Sequence, residues 1–456
     1  MNRNPRMNSK PRLLMLLLTA ALALALGGCS DDDDPVAPST GETFTVTIEN
    51  VTAARDFFGS GSFAIPAGAS MPGPIGPGGA YEVQFGAAPG QRLSFATMMV
   101  QSNDLFYAPD EDGIELYPGG NPLTGDLTDQ LRLWDAGTEL NEEPGLGPNQ
   151  APRQGAPDTG PADSDNSVRL VDDGYAYPDV AAVIKASLSY QGEGLFTLRI
   201  ENVSTAQTLQ PSSGPSLPVP LSPGVIVIHT GSAPLFTAGM AERSEGLEHL
   251  AEDGDIGALA AAIADRSGLV SPLAPGAYAV HDAGMPIFTS GMADAGRGLE
   301  AAAEDGDPSG LAAYLESLDE VSAAGAFTIP EGESSAGPLF PGHSFRFTVS
   351  AVPGDRLSLA TMLGQSNDLF FGFGDLGLAL FDGSGEAVTG DVTAQLRLWD
   401  AGTEQNQWPG AGPDQAPRQS AADTGADDSD PAVRPVSDGF EYPAVSDVVR
   451  VTITVQ

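Results

Sequence analysis

The sequence predicts a mainly β fold: two tandem antiparallel β-sandwiches, the second carrying a small α/β insertion. Three observations predict it. Apolar and polar residues alternate with period two in many short segments. The chain repeats itself over a long period. Turn formers punctuate it throughout, with 56 glycines and 38 prolines in 456 residues. Alternation over five to eight residues marks a strand with one buried face, and glycine and proline supply the turns between such strands.

The strands come first. Phe44, Val46 and Ile48 alternate with Thr45, Thr47 and Glu49; Phe345, Phe347 and Val349 do the same, as do Val449, Val451, Ile453 and Val455. Many such segments with no helical run between them point to a sandwich.

The repeat sets the domains. Phe44-Thr-Val-Thr-Ile-Glu-Asn-Val-Thr52 matches Phe196-Thr-Leu-Arg-Ile-Glu-Asn-Val-Ser204 at an offset of 152, whereas Gln130-Leu-Arg-Leu-Trp-Asp-Ala-Gly-Thr-Glu139 matches Gln395-Leu-Arg-Leu-Trp-Asp-Ala-Gly-Thr-Glu404 at 265. The second copy therefore carries extra residues. The expected domains are 43–191 and 194–456, joined at Gly192-Glu193-Gly194, with the insertion at about 205–324. The Pro/Gly/Asp-rich segments 141–167 and 406–431 read as long surface loops.

The insertion is itself duplicated. Pro223-Gly-Val-Ile-Val-Ile-His229 matches Pro275-Gly-Ala-Tyr-Ala-Val-His281, and Glu252-Asp-Gly-Asp255 matches Glu304-Asp-Gly-Asp307. Each unit reads as a strand, a loop and one short helix, with Asp255 and Asp307 as N-caps. Neither unit buries enough surface alone, so they are expected to pair or to lie on the sandwich. As an accessory segment on a rigid scaffold, the insertion is also a candidate binding element whose removal leaves the sandwich folded.

Charge narrows the function. The chain has 61 acids against 20 bases, and four of those bases precede Cys29. So acidic a chain lacks the Lys/Arg clusters that bind nucleic acid or an anionic lipid face. The lysine-poor acidity suits a salty habitat, and GC-rich coding produces it too. With one cysteine there is no intrachain disulfide and no cysteine-based zinc site.

That cysteine ends a secretory-type leader. Arg3, Arg6, Lys10 and Arg12 precede the apolar run 13–26, too short to span a bilayer, and Leu26-Gly27-Gly28-Cys29 follows. The run resembles a bacterial lipobox. Residues 1–28 are then a signal peptide, Cys29 is acylated, and 29–42 form an acidic tether. Ser30 matches the sorting pattern for the outer membrane. Residues 31–34, all aspartate, read either as a surface-export signal or as a solvated spacer.

Met98-Met-Val-Gln-Ser-Asn-Asp104 with Leu133-Trp-Asp-Ala-Gly-Thr-Glu139, and Met362-Leu-Gly-Gln-Ser-Asn-Asp368 with Leu398-Trp-Asp-Ala-Gly-Thr-Glu404, resemble the spondin-N domain of F-spondin and of many bacterial secreted proteins. The resemblance implies a C2-like sandwich holding calcium. Carried over residue by residue, the metal ligands are Asp104, Asp135 and Glu139 in one copy and Asp368, Asp400 and Glu404 in the other. Glutamate stands where the animal domains have the last aspartate, and their cysteines are absent. The chemistry agrees: calcium takes hard oxygen ligands, and converging carboxylates repel without a cation. Read from spacing alone, Asp135 and Glu139 are equally ordinary solvated loop acids.

Weaker candidates are His229 and His281, either as metal ligands that meet or as strand-end histidines satisfied by backbone. Trp134 and Trp399 are stacking platforms or packing beside the acid loops. Trp408, Tyr107, Tyr117 and Phe381 are loop aromatics open to a partner. Motifs for a serine hydrolase elbow, a zinc protease, a P-loop and a dinucleotide site are missing. The leading expectation is a non-enzymatic, calcium-stabilised adhesion or binding protein on a bacterial envelope, its partner an extracellular protein or glycan. The alternative is a secreted metal-dependent or carboxylate-based hydrolase of polysaccharide.

Overall fold

Phe44, Val46 and Ile48 are fully buried along the strand Glu42–Asn50, and the residues between them are half-buried. The strand Leu195–Asn202 does the same with Phe196, Leu198 and Ile200. Side chains of a strand point alternately to opposite faces, so the sequence pattern becomes one face in the core. The structure, a computed structural model, describes residues 41–282 and 287–456. The fold is mainly β, built as sandwich-like antiparallel sheets.

The first sandwich has a four-stranded sheet in the order Ala80–Gly86, Leu195–Asn202, Ile184–Gly192, Gly125–Asp126. Its seven-stranded outer sheet runs Phe57–Phe63, Leu221–His229, Arg92–Met99, Leu105–Pro109, Leu131–Asp135, Arg169–Leu170, with Ile114–Glu115 also pairing with Arg92–Met99. The second sandwich repeats the plan. Its four-stranded order is Ser344–Ala351, Glu42–Asn50, Val449–Val455, Gly390–Asp391. Its outer order is Val321–Phe327, Leu273–His281, Arg356–Leu363, Leu369–Phe373, Leu396–Asp400, Arg434–Pro435, with Leu378–Ala379 on Arg356–Leu363. Tyr81, Phe95, Phe196 and Ile226 lie in one core, and Phe44, Ile48, Phe345 and Leu359 in the other. Each such side chain contributes about 1.5–3 kcal/mol of apolar burial.

The sheets do not follow the expected boundaries at 191 and 194. The first strand of the chain, Glu42–Asn50, lies in the second sandwich, between Ser344–Ala351 and Val449–Val455. Its sequence twin Leu195–Asn202 lies in the first. Gly192-Glu193-Gly194 is a hairpin turn within one sheet, not a junction: Gly192 pairs with Leu195, and Glu193 and Gly194 have φ of 54° and 80°. Positive φ at both central residues matches the right-handed twist of a two-residue hairpin.

The insertion is divided between the two sandwiches. Each outer sheet needs a strand between its edge and Arg92–Met99 or Arg356–Leu363. Both candidates, Leu221–His229 and Leu273–His281, lie downstream of residue 195, and one goes to each sandwich. The duplicated units therefore neither pair with each other nor decorate one domain. They are middle strands, and the expectation that the sandwich closes without them is overturned.

Each unit also carries two helices rather than one: Leu247–Asp253 and Gly257–Asp265 in the first, Leu299–Glu304 and Ser309–Glu316 in the second. Leu247, Leu250, Leu259 and Ile263 seal the outer face of the first outer sheet over Phe106 and Trp134. Leu299, Ala303, Leu311 and Leu315 do so over Phe370 and Trp399. Asp255 accepts from the Gly257 amide at 2.8 Å and Asp307 from that of Ser309 at 2.9 Å, each one residue ahead of the cap position. Among the described residues no helix is long and apolar enough to cross a membrane. Cys29, the leader and most of the acidic tether lie outside the described residues.

Candidate metal centre

Antiparallel register brings the acids to one end of the outer sheet. Leu105 pairs with Asp135, so Asp104, just ahead of its strand, sits beside the loop that leaves Asp135. That loop folds back over Asp104. The Thr138 and Glu139 amides donate to Asp104 Oδ2 at 2.7 and 3.1 Å, and the Thr138 hydroxyl lies 3.1 Å from the same oxygen. Gly137, at φ 73°, makes the turn, and its amide donates to Asp135 Oδ1 at 2.7 Å. The second sandwich repeats this at Asp368, with the Thr403 and Glu404 amides at 2.8 and 3.2 Å, and at Asp400, with the Gly402 amide at 2.8 Å.

All six sequence-derived acids are at most 3% exposed, unlike solvated loop acids. Their carboxylates nevertheless face different partners. Asp135 Oδ2 accepts from Arg169 Nη2 and from Asn141 Nδ2, both at 2.8 Å. Glu139 turns the other way, to Asn103 Nδ2 at 3.1 Å and the Gly160 amide at 2.5 Å. A side chain on Gly160 would meet the Glu139 carboxylate at 2.2 Å, so only glycine allows this approach. Asp400 and Glu404 split likewise, toward Arg434 at 2.9 Å and the Gly425 amide at 2.8 Å.

Two further acids recur in both sandwiches. Glu252, 2% exposed on the helix Leu247–Asp253, accepts from the Thr138 hydroxyl at 2.6 Å. Its carboxylate, that of Glu139 and that of the exposed Asp158 lie within 4.8 Å of one another. In the second sandwich Glu304 and Asp423, the counterparts of Glu252 and Asp158, converge with Glu300, and Glu404 is not in that group. Sequence reasoning missed Glu252, Glu304, Asp158, Asp423, Arg169 and Arg434. The duplicated Glu-Asp-Gly-Asp was the available signal, though only its last aspartate was read.

Burial governs the electrostatics. It pushes Asp104 up to about 7, with the Asp135 charge adding and the loop hydrogen bonds opposing. Asp368 rises to about 7 for the same reasons. Glu252 and Glu304 rise to about 8, again chiefly by burial, opposed by Thr138 and Thr403. Asp135 and Asp400 are also raised by burial and pulled back by backbone amides and their arginines. Four of the buried acids have one oxygen without a hydrogen-bond partner: Asp104 Oδ1, Glu252 Oε2, Asp368 Oδ1 and Glu304 Oε2. An unsatisfied buried acceptor costs about 1–3 kcal/mol, and more when charged. A hard divalent cation held by Glu139, Asp158 and Glu252, or by Glu300, Glu304 and Asp423, would relieve the repulsion within that group; among the described residues Asp104 and Asp135, and Asp368 and Asp400, are not part of either group. The donors are all oxygen, which suits a hard cation rather than a soft metal.

The other candidates fall elsewhere. His229 Nε2 meets Ser94 Oγ at 3.0 Å and His281 Nε2 meets Ser358 Oγ at 2.8 Å; each is buried in its own sandwich, so the two do not meet. Trp134 and Trp399, 5% exposed, pack on Phe236 and Phe288 beneath the helices. Tyr107, Tyr117 and Phe381 are buried, not open to a partner. Trp408 lies against Gly86 of the first sandwich. No family model matches the chain, and no curated protein matches it.

Proposed function

We propose that this chain is a non-enzymatic binding or adhesion protein of a bacterial envelope, stabilised by calcium in both spondin-N-like sandwiches and tethered to the outer membrane through an acylated Cys29. The observation that carries the calcium reading is the same in both repeats: a fully buried aspartate with one unpartnered oxygen, wrapped by a loop bearing a second and third acid. Binding is favoured over hydrolysis because Asp104, Glu139 and Glu252 are 0–3% exposed, out of reach of a polysaccharide.

The test compares calcium-loaded and EDTA-treated protein on immobilised matrix proteins and glycans, with turnover assays on glycans and esters in parallel. Saturable attachment that needs calcium, without turnover, is expected. Calcium-dependent cleavage of a glycan would instead establish the hydrolase.

A further inference from the structure

We propose that the cation in each sandwich is held at the seam between sheet loops and helical layer, with Glu252 and Asp158 as ligands in the first and Glu304 and Asp423 in the second. This rests on the calcium reading above and moves the ligand set onto elements that the sequence motifs do not include.

Glu139, Asp158 and Glu252 come from two loops and a helix, yet their carboxylate oxygens converge within 4.8 Å. Convergence of acids alone is common on so acidic a surface. Glu252 differs, being 98% buried by its 2% exposure, with Oε2 lacking any hydrogen-bond partner. Glu304 repeats both properties in the second sandwich, where it lines a 190 Å³ cavity with Glu300, Asp305 and Asp423.

Thr138 gives a separate argument. Its hydroxyl has one proton, and two carboxylate oxygens claim it, Glu252 Oε1 at 2.6 Å and Asp104 Oδ2 at 3.1 Å. A hydroxyl donates one hydrogen bond, so when both acids are ionised one contact is between oxygens without a proton. Thr403 stands in the same position between Asp368 and Glu304. A divalent cation between the helix glutamate and the loops compensates both sandwiches. It also fastens the helix Leu247–Asp253, or Leu299–Glu304, to the sheet end, so that calcium governs the order of the helical layer.

The experiment is calcium titration calorimetry on the full chain, with terbium luminescence excited through tryptophan as a second readout. Wild type is expected to bind one ion per sandwich. Glu252→Gln is expected to abolish or weaken one of the two sites, by at least the roughly 10–100-fold that even an outer-shell partner is worth, leaving the second as an internal control. Asp158→Asn, at an exposed position, is expected to weaken the same site without disturbing the core. Hydrogen exchange of 247–253 should slow on calcium addition in wild type and not in Glu252→Gln. If both variants bind two ions with wild-type affinity while Asp104→Asn loses one, the helix is not a ligand and the calcium reading survives. If wild type binds no calcium, both fall.

Discussion

Arg169 Nη2 lies 2.8 Å from Asp135 Oδ2 and 2.6 Å from Asp163 Oδ2, so one guanidinium corner neutralises a carboxylate that is 1% exposed. Arg434 does the same for Asp400 and Asp428. The motif aspartate thus already has a cation. Removing one partner of a buried pair leaves an uncompensated charge. Arg169→Ala should therefore destabilise the first sandwich by about 3 kcal/mol in EDTA. Asp135→Asn in the same chain should recover part of the loss, as groups in one network do not add. Urea titrations of the cycle check this, and additive losses would refute it.

The raised acids set a pH dependence. Asp104 and Asp368 lie near 7 and Glu252 and Glu304 near 8, against about 4 in an unfolded chain. The folded state then binds protons that the unfolded state does not, so stability falls as pH rises through that window. In EDTA the melting temperature should climb as pH drops from about 8.5 to 5. Millimolar calcium should flatten the curve by stabilising the ionised form at high pH. Scanning calorimetry in both buffers reads it; a pH-independent melt in EDTA would count against the buried acids being unneutralised.

Fragments follow the sheets rather than the repeat. All strands of the first sandwich lie between Phe57–Phe63 and Leu221–His229 in continuous sequence, followed by its helices. A fragment spanning 55–270 should fold with a cooperative melt. The fragment 43–191 lacks Leu195–Asn202 and Leu221–His229 and should not. Replacing 205–324 by a short linker removes a middle strand from both outer sheets and should leave no native-like near-ultraviolet dichroism. A folded 43–191 would contradict the strand order.

The anchor is tested at Cys29. Wild type should partition into detergent with an acylated N-terminal peptide starting there, and Cys29→Ser should be released or left unprocessed. An unmodified Cys29 in mature protein would end the lipoprotein proposal.

Strands were legible in the sequence wherever one face is buried, as at Phe44, Val46 and Ile48, because period two is a local property. Their partners were not legible. Phe44-Thr-Val-Thr-Ile and Phe196-Thr-Leu-Arg-Ile bury the same shapes, and Asn50 and Asn202 each donate to two backbone carbonyls at 2.8–2.9 Å. Either strand satisfies either slot locally, and the two-residue hairpin at Glu193-Gly194 is what ties Leu195–Asn202 to Ile184–Gly192 and so to the first sandwich. The loop acids were visible as a motif. Glu252 was hidden in a seven-residue helix whose buried Leu247, Leu250 and Ala251 span too little sequence to show a period.

The strand Glu42–Asn50 also gives the molecule a mechanical property. It is bonded on both sides, to Ser344–Ala351 and to Val449–Val455, across nearly its full length. Antiparallel hydrogen bonds run perpendicular to the strand. Tension applied along the chain ahead of Gly41 therefore loads both ladders in shear, all bonds together, rather than peeling them one at a time. If Cys29 holds the protein to a membrane, drag on the body of the molecule meets this clamp first. The chain should resist extension from its N-terminal side at higher force than a protein tethered through an edge strand, which single-molecule pulling from residue 41 would read directly.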